Sequence, residues 1–100
     1  LQEETGKLVT MKFEWDPTKA ESNVKKHNVS FDEAASVFLD ELAVSGTDPD
    51  HSVGESRYIT FGASSLGRLL AVSHTYRASA IRIISARRVT RSERKIYEES

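Results

Sequence analysis

The stretch RLLAVSHTYRASAIRIISARR, residues 68–88, decides the fold. Two apolar runs, 68–76 and 81–87, flank the connection RASA. Both are rich in Leu, Val and Ile and have the length of strands, and the connection suits an antiparallel hairpin. Alternation sorts their side chains by face. In the first run Leu70, Val72, His74 and Tyr76 share one face, and Leu69, Ala71, Ser73 and Thr75 the other. In the second, Ile81, Ile83, Ser85 and Arg87 oppose Arg82, Ile84, Ala86 and Arg88. Both faces are apolar in mid-strand and polar near an end. Central strands whose tips reach solvent have this pattern, and a site can be built on such tips.

Upstream, residues 57–62 form another strand candidate, joined to the first run by ASSLG, and LAVS (42–45) is a fourth. Between them GTDPDHSVGES (46–56) reads as a polar loop. Nearer the start, Asp16 stands as an N-cap before Pro17 at the first helical position. Ala20, Val24 and His27 follow as a thin apolar stripe, and Asn28 is a left-handed cap. Ser30 and Glu33 have the spacing of a capping box for a second helix with Ala34, Ala35, Val37 and Phe38 on its buried face. KFEW (12–15) alternates like a short strand, with Phe13 and Trp15 directed to the core. Downstream, Thr90 and Glu93 give a second capping box, with Ile96 and Tyr97 as apolar contacts of a terminal helix. The order β-α-α-β-β-β-β-α is an α+β pattern, with helices expected on one face of an antiparallel meander. Residues 1–10 are expected to be an extension and 11–100 a single domain.

A chain of 100 residues with 38% hydrophobic and 29% charged residues supports one modest core. It has no cysteine, which excludes disulfides, thiolate metal sites and a thiol nucleophile. It has no apolar run of membrane-spanning length, and LQEETGKLVT lacks the order of a signal peptide, so a cytoplasmic protein is expected. The formal net charge of −1 hides an asymmetry. Residues 1–66 carry six Lys/Arg against twelve Asp/Glu, and residues 67–100 carry eight against three. The basic half suits an anionic partner; internal pairing with the acidic half is the simpler reading.

Arg77 follows the end of one strand, Arg57 begins another and Arg87 closes a third. Planar guanidinium groups at a sheet end suit phosphate, either as backbone contacts or against the charge of a pentavalent transition state. Each arginine taken singly is more often a surface or ion-pair residue than a catalytic one. His74 could exchange protons near neutral pH or be a hydrogen-bonded core residue. His27 suits a helix C-terminus. Two carboxylates and His51 in DPDH (48–51) make only a weak metal signal. Tyr97 could donate a proton or simply anchor its helix, and Glu93 is a capping residue before it is anything else. No phosphate-binding glycine loop, GxSxG elbow or zinc-protease spacing occurs.

Taken together, FEWDPTKAESNVKKHNVSFDEAASVFLD, ESRYITFG, GRLLAVSHTYR and IRIISARRVTRSERKIYEE resemble the BrnT family of toxins from bacterial type II toxin–antitoxin systems. The resemblance runs from about Met11 to Glu99. It implies a RelE-like fold, endoribonuclease activity without metal or other cofactor, inhibition of translation, and a cognate BrnA-type antitoxin. That antitoxin's ribbon-helix-helix part would bind operator DNA. The family's recurrent polar residues fall on His27, Glu55, Arg57, Thr75, Arg77, Arg82, Arg87, Glu93 and Tyr97. Asn28 stands where glycine is usual and Arg88 where lysine is common. On this basis Arg77 and Arg87, assisted by Arg57, are expected to stabilise the scissile phosphate, and His74 or Tyr97 to exchange protons. Arg68, Arg82, Arg88 and Arg91 are expected to hold RNA. A non-catalytic module binding nucleic acid or an acidic partner is the alternative.

Overall fold

The computed structural model describes residues 11–51 and 54–100, so the expected extension at 1–10 lies outside the described residues. The elements are β1 (Lys12–Glu14), α1 (Pro17–His27), α2 (Phe31–Ser36) continued by a 3-10 turn (Val37–Leu39), and β2 (Val44–Thr47). A second 3-10 turn (Pro49–His51) precedes β3 (Tyr58–Ala63), β4 (Leu69–Arg77), β5 (Ala80–Arg88) and α3 (Arg91–Glu99). The class is α+β, in the expected order. The five strands form one sheet, β1-β5-β4-β3-β2. All neighbours are antiparallel except β1, which runs parallel to β5 with Phe13 opposite Ile81.

The helix ends follow local chemistry. Asp16 accepts from the Thr18 amide at 2.8 Å, and Asn28 closes α1 at φ 59° with its amide on the Val24 carbonyl. The box expected at Ser30 is only half made. Ser30 accepts from the Glu33 amide, but the Glu33 carboxylate turns to Arg68 and Ser64. At α3 both halves form: Thr90 Oγ1 accepts from the Glu93 amide, and Glu93 accepts from the Thr90 amide. The stripe expected on α1 is rotated, because Val24 is half-exposed and the buried residue is Asn23. β2 starts two residues later than LAVS and takes in Gly46 and Thr47, since Asp40 Oδ1 caps a turn at the Leu42 amide.

The core lies between α1–α2 and one face of the sheet. Leu70, Val72, Ile83 and Ala86 meet Val29, Phe31, Ala34 and Val37, with Phe13, Trp15 and Phe38 packed around them. The turn after α2 presses so closely on β3 that a Cβ at Gly62 would lie 2.7 Å from Val37 Cγ1, so only glycine fits.

β4 alternates as its sequence predicts, but β5 does not. Ser73 pairs with Ser85 and His74 with Ile83, so Ile84 is an extra residue, a β-bulge. Beyond it the faces of β5 swap. Ile81, Ile83, Ala86 and Arg88 fall on the helix-covered face, and Arg82, Ile84, Ser85 and Arg87 on the other, opposite Thr75, Ser73 and Ala71. Strict alternation had put Arg82 with Arg88; the bulge puts it with Arg87. That second face is not bare either: Arg87 reaches Glu93 of α3, and α3 contacts β3. The helices therefore do not all lie on one face.

Candidate active site

The uncovered part of this second face gathers four arginines, Arg77 from β4, Arg82 and Arg87 from β5, and Arg57 just before β3. Thr75 pairs with Arg82 and Ala71 with Arg87, and Arg77 continues the same row of β4. Arg57 precedes β3, in line with Ile59, which faces Ser73. Arg57 and Arg87 line one cleft of about 250 Å³ together with Asp48, Ile59, Ser73, Ile84 and Ser85. The bulge makes this cleft, because it turns Ile84 and Ser85 to the same side.

Carboxylates position the guanidinium groups. Arg87 makes a two-pronged pair with Glu93, at 2.8 and 2.9 Å, and also donates to the Arg88 carbonyl at 3.2 Å. Those hydrogen bonds hold the Glu93 carboxyl below its ordinary range, helped by the Thr90 amide and opposed by burial. Arg82 donates to Glu14 at 3.0 Å and the half-exposed Arg77 to Glu55 at 3.3 Å. Buried Thr75 donates to the Ser56 carbonyl at 2.7 Å, tying the segment that carries Glu55 and Arg57 to β4.

Other predicted residues stand elsewhere. His74 is 0% exposed on the helix-covered face, its Nε2 bonded to Thr60 Oγ1 at 2.8 Å and its Nδ1 without a partner. Phe38, Tyr58 and Tyr76 enclose the ring. Burial lowers its pKa to about 4. The structure lends no support to the expectation that His74 exchanges protons with substrate: β4 turns it away from the arginines, and it is fully buried. Tyr97 lies one helical turn after Glu93, but its hydroxyl donates to Asp40 at 2.7 Å, an interaction that raises its pKa. It does not line the cleft. Arg68 stands apart from the cleft. It makes a two-pronged pair with buried Glu33, holding that carboxyl below its ordinary range, and donates to the Asn28 carbonyl at 3.0 Å. It bolts the start of β4 to α2 and to the α1–α2 link. Arg88 is exposed on the same side as Arg68, and Arg91 is exposed in the first turn of α3.

Sequence reading missed Asp48, Ser73 and Ser85 as cleft residues. For the two serines, the alternation of β4 was a usable signal, and the bulge in β5 was not. Among the described residues no three His, Cys, Asp or Glu side chains converge as metal ligands. Among them, too, no helix is long and apolar enough to cross a membrane.

Residues 15–93 match the sequence profile of a family described as the ribonuclease toxin, BrnT, of type II toxin-antitoxin systems. Among curated protein sequences none matches the chain. Among solved structures, the 1.1 Å crystal structure of the Brucella abortus ribonuclease toxin BrnT is similar, with a TM-score of 0.61 and 26% identity. The alignment covers 82% of this chain and all of that one. Its agreement with three helices on a five-stranded, mostly antiparallel sheet bears out the expected architecture. With the profile spanning most of the domain, the chain belongs to the BrnT family of ribonuclease toxins of type II toxin–antitoxin systems.

Proposed function

We propose that the protein cleaves RNA without a metal ion, by attack of a 2′-hydroxyl on the adjacent phosphorus, and that it thereby inhibits translation. The observation that carries this reading is the cleft in which Arg57 and Arg87 face each other across Ser73 and Ser85. A pentavalent phosphorane carries more negative charge on its oxygens than the diester it comes from. Guanidinium groups fixed beforehand stabilise that charge without reorganising at the moment of reaction. Glu93 fixes the Arg87 guanidinium, and the tether from Thr75 to Ser56 anchors the backbone that carries Arg57. Arg77 and Arg82 lie towards the other end of the same face. The partners of Arg82 and Arg87 lie four positions apart on β4, about 13 Å along the strand, so RNA lying along the sheet meets arginine at both ends. Arg91 and Arg88 extend the basic rim.

In the same reading the fold is RelE-like and the protein acts in the cytoplasm. A BrnA-type antitoxin covers the basic face with acidic or apolar groups, and its ribbon-helix-helix part carries the complex to operator DNA.

The test is incubation of antitoxin-free protein with a defined RNA in excess EDTA, beside a DNA copy and an RNA with 2′-deoxy at the cleaved position. The expected result is cleavage of the RNA alone, ending in a 2′,3′-cyclic phosphate. Arg87→Ala should lower kcat by roughly 10²–10³, as loss of one oxyanion donor does, with a smaller effect on binding. Loss of cleavage in EDTA, or cleavage of the 2′-deoxy substrate, would refute the mechanism. Salt-sensitive binding of RNA and DNA alike without cleavage would favour a non-catalytic module.

A further inference from the structure

A second basic cleft lies at the end of the sheet, outside the one that holds Arg57 and Arg87. It has a volume of about 230 Å³ and is lined by Gly67, Arg68, Leu69, Arg88, Val89 and Arg94. Three arginines therefore meet where the β3–β4 turn, the end of β5 and the beginning of α3 come together. We infer that this cleft is a subsite for a phosphate that flanks the scissile one on the RNA strand, an inference that rests on the ribonuclease reading above.

The three arginines differ in what they already hold. Arg68 gives Nε and Nη2 to Glu33, and Nη2 also to the Asn28 carbonyl, which leaves Nη1. Arg94 has Glu98 at 3.7 Å, one turn on along an exposed helix face, a contact that contributes little in water. Arg88 is exposed, and its side chain makes no hydrogen bond or ion pair among the described residues. The Glu33 carboxyl, held below its ordinary range first by the Arg68 hydrogen bond, also feels the Arg88 charge. Three positive charges thus meet one buried carboxylate and one exposed one, and the excess is positive.

The lining favours phosphate over a protein partner. Its apolar side chains are Leu69 and Val89, both partly buried, so it lacks the exposed apolar centre of a protein interface. Guanidinium groups from separate elements can donate to the oxygens of one phosphate and fix the strand's register without reading its bases. The topology also ties this cleft to the other. Arg87 and Arg88 are consecutive and turned to opposite faces of β5, and Arg87 donates to the Arg88 carbonyl at 3.2 Å. Ser73 of the first cleft and Leu69 of the second lie four positions apart on β4, about 13 Å along the strand. One phosphate does not span that distance, so the two clefts hold different phosphates of one chain. RNA cut beside Arg87 that continues past the end of β5 reaches Arg88 and Arg94.

The test is the paired variant Arg88→Gln/Arg94→Gln, which alters two exposed side chains and leaves the Arg68–Glu33 pair in place. Affinity is measured on an RNA with 2′-deoxy at the cut site, carrying a neutral methylphosphonate at each position in turn. We expect the paired variant to bind the unmodified RNA roughly tenfold more weakly. On the cleavable form the loss should appear in KM rather than kcat. The slope of log affinity against log salt should shrink by about 0.7, the value for one phosphate of a single strand. At one flanking position the methylphosphonate should weaken binding to the wild type and leave the paired variant unaffected. Affinity within about twofold of wild type, or losses from variant and methylphosphonate that add at every flanking position, overturns the inference. Unchanged RNA affinity with weakened antitoxin binding overturns it too, and gives the cleft to an acidic partner. A wild type that leaves RNA uncut overturns the ribonuclease reading, and the affinity cycle on the same RNA still decides the cleft.

Discussion

Asn23→Ala tests how the active strand is held at its edge. β5 pairs with β4 along its whole length, but on its other side β1 covers only Ala80–Arg82. Farther along, the Ala86 N–H and C=O point away from β4 into a buried gap, where a strand is missing. The Asn23 side chain substitutes for it: Oδ1 accepts from the Ala86 amide at 3.1 Å, and Nδ2 donates to the Ala86 carbonyl at 2.8 Å. The same Nδ2 donates to the Val29 carbonyl at 2.9 Å, joining the α1–α2 link to the sheet. Truncation to alanine orphans one buried donor and weakens two buried carbonyls. At about 1–3 kcal/mol for each unsatisfied group, with carbonyls at the low end, the loss is about 4 kcal/mol. Domains of this size have about 5–15 kcal/mol in all. With a urea m-value of about 1.5 kcal/mol/M, the midpoint should fall by roughly 2–3 M. Asn23→Asp should recover little, since it keeps the acceptor but sets a carboxylate against two carbonyls. Ala86 lies between Ser85 and Arg87, so ribonuclease activity should fall below the denaturation midpoint as well. A midpoint within roughly 0.3 M of wild type would refute the reasoning and show that water replaces the amide.

Gly62→Ala should destabilise by about 1–3 kcal/mol, because the new methyl meets Val37 Cγ1 at 2.7 Å and Ala43 Cβ at 3.1 Å. In a double-mutant cycle Val37→Ala should relieve part of that cost, and strict additivity would count against the clash. His74 makes a different prediction, about pH. Its folded pKa of about 4 lies below the unfolded value near 6.5, so between these the unfolded chain takes up a proton that the folded one refuses. Stability should be full above about pH 6.5 and decline by about 3 kcal/mol towards pH 4 from this group alone. In urea titrations at several pH values, His74→Gln should remove up to one proton's slope from that window; an unchanged slope would count against a buried neutral imidazole.

Features that depend on near neighbours in the chain were legible in the sequence. Asp16–Pro17, Asn28 and Thr90–Glu93 each complete their hydrogen bonds within four residues, so spacing alone identified them. The alternation of β4 likewise placed Ser73 and Thr75 on one face. What failed depended on distant partners. Glu33 has the spacing of a capping-box residue, yet Arg68, 35 positions away, offers two charged donors and wins it. The expectation that Arg68 holds RNA was formed without that partner in view. The bulge at Ile84 has no glycine or proline to mark it, and it alone decides that Arg82 joins Arg87. His74 was assigned to the right face, but whether a face is covered depends on Phe38 and the aromatic pair Tyr58 and Tyr76. Asp48 looked like part of a polar loop because the ladder that orients it is made by its backbone amide, about which a side-chain pattern says nothing.

The charge asymmetry of the chain also has a structural reading. Arg77 and Arg82 in the basic half pair with Glu55 and Glu14 of the acidic half, across the sheet. Such partly exposed pairs contribute at most about 1 kcal/mol each, so they are poor evidence of stabilisation. On the proposed function, their weakness is what would make the face usable. A phosphate offers the same two-pronged acceptor geometry as the carboxylate it displaces, so exchange costs little and the guanidinium arrives already oriented. Arg87 differs, since Glu93 is also held by the capping box and is better buried than Glu14 or Glu55. On the proposed function, a phosphate in the cleft would therefore meet the outer edge of an Arg87 that stays bound to Glu93, and replacement by lysine, which has no second edge, should remove that contact while keeping the charge.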